Sequence, residues 1–69
     1  MKLLERLKPE YLKKLESVKI DFPASAEKII NILEENESVF ELTMSEATSI
    51  SIFLDFEMTL NNLINLFNE

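Results

Sequence analysis

The 69-residue sequence contains no Cys, His, Gly, Trp or Gln. Most of these absences remove a class of chemistry. Without Cys there is no disulfide and no thiol nucleophile, and without Cys or His there is no ordinary zinc site. Without His the usual acid–base group near neutral pH is missing. Without Gly the common phosphate-cradling loops and the EF-hand turn cannot form. Long apolar runs are also lacking. The longest is Ile52-Phe53-Leu54, far short of a membrane span. The start, Met1 to Arg6, carries charge where a signal peptide needs apolar residues. We therefore expect a soluble, cytoplasmic, non-enzymatic chain with no metal and no cofactor.

Positive charge is scarce and confined. Seven bases face thirteen acids, a formal charge of −6. Six of the bases lie within residues 1–19, which carry +3, while residues 20–69 hold only Lys28 and carry −9. Such a body repels phosphate, so nucleic acid is a disfavoured partner. It attracts a basic protein surface. The same acids also keep a small chain in solution.

What is present is material for a core. Hydrophobic residues make up 46% of the chain, with five Phe and eleven Leu. The length permits one small domain over residues 1–69. With no disulfide or metal, its core must come from packing alone, or from packing plus a second copy or a partner.

Periodicity divides the chain. Leu4, Leu7, Tyr11, Leu15 and Val18 form one helical stripe over residues 2–17. Pro9 either kinks that helix or restarts it, with Lys8 as the boundary. Val18, Ile20 and Phe22 alternate with polar residues, a short strand pattern over 17–22. Pro23 can open a helix over 24–36, with Ala26, Ile29, Ile30 and Leu33 on one face. Asn36 would stop it, because Asn tolerates the left-handed conformation. Thr59 can cap a last helix over 59–68, with Leu60, Leu63, Ile64 and Phe67 as its stripe.

Residues 38–60 support two readings. From Ser49 to Leu60 the residues alternate apolar and polar at eleven of twelve positions. Phe40, Leu42 and Met44 alternate likewise. Pairing 44 with 50, 42 with 52 and 40 with 54 places all six on one face of a hairpin. The helical reading rests on Thr43 and Glu46, which match a capping box, and on the stripe Met44, Ala47, Ile50 and Leu54. In a helix, Ile52 falls outside that stripe, and Glu57 falls inside it if the helix runs past Leu54. The missing Gly favours helix as well. We take the hairpin as the preferred reading. The expected class is then α+β, in the order α-β-α-β-β-α, with a small antiparallel sheet and helices packed on it. The alternative is an all-α bundle of four or five helices.

Residues 43–67, through Ile50, Leu54, Leu60 and Leu63, resemble the last two helices of the Cro/repressor class of helix-turn-helix proteins. The resemblance covers about a third of the chain. The DNA-reading part departs from that pattern. Too few helices precede it, and residues 26–36 carry three acids beyond Lys28. No site residue is carried over.

The candidate site is therefore a docking surface rather than a catalytic centre. Asp55 and Glu57 would share one strand face, where a bare acid pair without imidazole or thiol reads as solvated or partner-facing. Glu34, Glu35 and Glu37 cluster at a helix end whose dipole disfavours them. Tyr11 and Phe53 are the candidate aromatic anchors. The expected function is a small acidic interaction module, an inhibitor, adaptor or regulator, docking on another protein with a basic surface or on itself as a homo-oligomer. The alternative is a small DNA-binding transcription regulator touching phosphates through its basic first helix.

Overall fold

Two prolines and three side-chain caps set the helix boundaries. The computed structural model describes residues 1–54, 57 and 59–68. Five helices follow in order: α1 Leu3–Arg6, α2 Pro9–Asp21, α3 Pro23–Glu35, α4 Met44–Leu54 and α5 Leu60–Asn65. A single 3-10 turn, Val39–Glu41, lies between α3 and α4. The described residues are 77% helical and form no strand or sheet, which overturns the expected α+β class in favour of the all-α alternative.

Pro9 restarts the chain rather than kinking it. Leu7 and Lys8 are extended, with ψ of 129° and 147°. A residue before proline is pushed toward that region, and Pro9 then serves as the first residue of α2. The extended step is put to use. Lys8 N–H donates to the Leu66 carbonyl at 3.0 Å, and Asn68 N–H donates to the Arg6 carbonyl at 2.7 Å. Leu7 and Phe67 thus form one antiparallel bridge that clasps α1 to the segment after α5.

Residues 17–22 are not a strand. Residues 17–21 complete α2, and Phe22 alone separates it from Pro23 at the start of α3. Val18 packs on the core as part of the helical stripe with Leu15 and Tyr11, whereas Ile20 is 82% exposed. Phe22, the last apolar residue of the alternation, is the non-helical joint between α2 and α3 and is 56% exposed.

The hairpin is overturned at each of its strands. Phe40 lies in the 3-10 turn, and residues 44–54 are α4. The capping box forms: Thr43 Oγ1 accepts from Glu46 N–H at 3.2 Å, and Glu46 Oε1 accepts from Thr43 N–H at 2.9 Å. Ile50 and Leu54 are fully buried one turn apart, while Ile52 is 50% exposed. A hairpin would have buried all three together. Glu57 is not helical, so it does not enter the apolar arc of α4.

No described residue has a positive φ. Asn36 therefore ends α3 differently from the left-handed stop expected of it. Its backbone is extended, with φ −120° and ψ 148°. Its side-chain Nδ2 donates to the Ile32 carbonyl at 2.8 Å, and its own carbonyl accepts from Leu3 N–H at 2.9 Å. The Ile32 and Asn36 carbonyls thus find partners without a left-handed residue at the helix end.

The core gathers Leu3, Leu15, Ala26, Ile29, Leu33, Ile50, Leu54 and Leu66 with their buried neighbours. The helices α2 and α3 pack most extensively, and α1 and α4 rest on them. Among the described residues, α5 meets the other helices least closely. No described helix is long and apolar enough to cross a membrane.

Candidate functional site

The loose fit of α5 leaves a cleft. It lies between the 3-10 turn, the first half of α4 and the start of α5, with a volume of about 380 Å³. That falls within the range of pockets that take ligands or side chains. Ala47, Ser51 and Leu63 line its inner part, with Val39 and Leu42 beside them. Phe40, Met44 and Leu60 stand at its rim, 73%, 79% and 50% exposed. Large apolar groups gathered around a concave site mark an interaction surface more strongly than the same groups scattered.

The cleft follows from helical spacing. Met44, Ala47 and Ser51 lie three and four residues apart, so they share one face of α4. Two of them, Ala47 and Ser51, are small and leave room above the helix. Ser51 is 1% exposed, and its Oγ has no hydrogen-bond partner. On the same helix Thr48 and Ser49 donate back to the carbonyls of Met44 and Ser45, at 2.7 and 3.1 Å. Ser51 makes no such bond. An unpaired buried hydroxyl costs about 1–3 kcal/mol.

No acid lines the cleft among the described residues, but Glu41, Glu46 and Glu57 lie within two residues of lining residues in the sequence and are held by local hydrogen bonds. Glu41 Oε1 accepts from Glu37 N–H at 2.8 Å and from Ser38 N–H at 2.9 Å. Glu46 closes the α4 capping box. Glu57 is exposed, and its Oε2 accepts from Asn62 Nδ2, while Thr59 Oγ1 caps α5 through Asn62 N–H. Each carboxylate keeps further acceptor sites. The whole stretch 29–69 contains eight acids and no base. From outside that stretch, Arg6 donates through its guanidinium to the Glu37 carbonyl, just before the 3-10 turn.

The predicted docking residues scatter over the molecule. Glu34 and Glu35 are exposed at the end of α3, and Glu37 is exposed just before the 3-10 turn. These three and the cleft acids lie in one base-free stretch of sequence. Tyr11 packs on the core, with Lys14 Nζ over its ring at 5.6 Å from the centroid. Phe53 also packs on the core, and its ring lies 5.8 Å from that of Phe22 at 53°. Neither aromatic belongs to the cleft. Asp55, and with it the expected pair with Glu57, lies outside the described residues. Among the described residues no three acids gather as a metal site would need.

Sequence reasoning missed Phe40, Met44, Ser51 and Leu60 as site residues. The hairpin register placed Phe40 and Met44 on a buried face. The Met44–Ala47–Ile50–Leu54 stripe was the signal for α4, but it could not show which part of that face stays uncovered. No protein-family model, curated protein or solved structure matches this chain.

Proposed function

We propose that this protein is a small non-catalytic docking module, acting as an inhibitor, adaptor or regulator on a partner protein with a basic surface. One observation carries the reading: an apolar cleft with Phe40, Met44 and Leu60 exposed at its rim lies within a stretch that has eight acids and no base. Apolar area supplies affinity once water is excluded. The acids supply the choice of partner and the rate of encounter. The same charge disfavours DNA at this surface, since the acids of residues 29–69 repel phosphate. The remaining route to DNA is the basic first segment, residues 1–19.

Affinity capture from the native cell tests the reading. The wild-type chain and a Phe40→Ser variant serve as baits, at low and high salt. The expected result is a basic protein held by wild type, released by salt and lost on substitution. Retention of nucleic acid instead, or of the same proteins by both baits, would overturn it.

A further inference from the structure

We infer that the cleft seats a short amphipathic helix of the partner, apolar along one face and rich in Lys or Arg along its flanks. The inference rests on the docking function proposed above and specifies its occupant.

The rim argues for a macromolecular segment rather than a small ligand. A molecule confined to about 380 Å³ would leave Phe40, Met44 and Leu60 largely in water. A helix laid across the groove covers them while its side chains fill the space above Ala47 and Ser51. Met44 adds an adaptable surface for such packing.

The lining argues for a helix rather than a strand. Extended peptides bind by adding main-chain hydrogen bonds to a sheet edge. The described residues form no sheet, and the cleft is walled by the 3-10 turn, the first half of α4 and the start of α5, with no strand edge to extend. An extended chain pressed on apolar side chains would bury its own N–H and C=O groups unpaired. A helix satisfies those groups itself and offers anchors at i, i+3 or i+4, and i+7.

Charge argues against a second copy seated symmetrically. A two-fold contact places the same patch on both sides. Both copies would then bring their acidic stretch to the contact, Glu41 and Glu46 among it, with no base in either stretch 29–69 to offset the repulsion. Lys or Arg flanks on a partner helix meet them favourably.

Designed peptides of about 14 residues test the inference, since such a helix spans about 21 Å, comparable to the 21 Å second axis of the molecule. The first carries Leu along one helical face and Lys elsewhere. The second has the same composition with Leu spread around the helix. The third keeps the first pattern with a central Pro. Binding is read by fluorescence anisotropy at low and high salt. The first peptide is expected to bind about tenfold or more tighter than the other two. Its affinity should fall as salt rises. The variants Phe40→Ala and Met44→Ala, checked for unchanged circular dichroism, should each weaken it severalfold. Ala47→Leu, which fills the groove, should weaken it more. Equal binding of all three peptides would overturn the helical occupant and leave the docking function standing. Failure of all three, with a basic protein still captured through Phe40, would do the same. Failure of all three with no such capture would remove both. A dimer in sedimentation that is lost on Met44→Glu would assign the cleft to a second copy.

Discussion

The two halves of this molecule use helices differently. In the first, α2 and α3 turn on a single residue, Phe22, and bury Leu15, Ala26, Ile29 and Leu33. In the second, α4 and α5 meet across a cleft and leave Met44 and Leu60 in water. The charge follows the same division. Every base lies within residues 1–28, and residues 29–69 have none. The first half reads as a scaffold and the second as a surface it holds in place. A small chain with no disulfide has little stability to spare. An incompletely closed second half is therefore a cost that docking would explain.

The largest effect should come from breaking the scaffold. Leu33 is fully buried, and Leu33→Ala is expected to destabilise by about 2–5 kcal/mol. Urea denaturation will show whether the chain still folds. Leu60→Ala on the cleft rim should cost far less, because half of that side chain is already in water. Equal costs at the two sites would erase the distinction between the halves.

The clasp joins the two regions and is the next point to test. Two backbone hydrogen bonds link residues 6–8 to 66–68. At about 0.5–1.5 kcal/mol each, they contribute a modest share of stability. Pro9→Ala would let α1 run on into α2 and pull Lys8 out of its extended shape. Faster hydrogen exchange at the Lys8 and Asn68 amides is expected, with Leu33 unaffected.

Smaller changes sharpen the description of α4. Thr43→Ala removes the cap and should cost about 1 kcal/mol, read from the thermal midpoint. Ser51→Ala removes a buried, unpaired hydroxyl and should be neutral or stabilising by about 1 kcal/mol. Phe40→Ala should change stability least, within about 0.5 kcal/mol, since the ring is 73% exposed. Its effect belongs to partner binding. A large loss of stability there would mean that Phe40 supports the fold rather than the docking surface.

Much of the local structure was legible in the residues. Pro9, Pro23, the Thr43–Glu46 box and Thr59 all mark helix starts where the sequence placed them. The stripe from Leu7 through Tyr11 and Leu15 to Val18 does face the core. The failure lay at 49–54. Positions 50 and 54 are separated by four, a spacing that both a strand and a helix place on one face. Within α4 the residues that distinguish them are Ser51, which is buried, and Ile52, which is exposed, and both are tertiary facts. The candidate site was legible as charge but not as shape. Tyr11 and Phe53, the candidate anchors, pack partly on the core, with Lys14 and Phe22 against them.

The sequence by itself determined the chemistry that is missing, the confinement of positive charge to residues 1–28, and most helix starts. Those depend on residue types and on neighbours within one turn. Only the tertiary structure decided that the second half is helical throughout its described elements, that the chain ends clasp through Leu7 and Phe67, and that a cleft opens beside Ser51. The physical reason is common to all three. Burial is a property of what packs against a side chain, and the partners here come from distant parts of the chain.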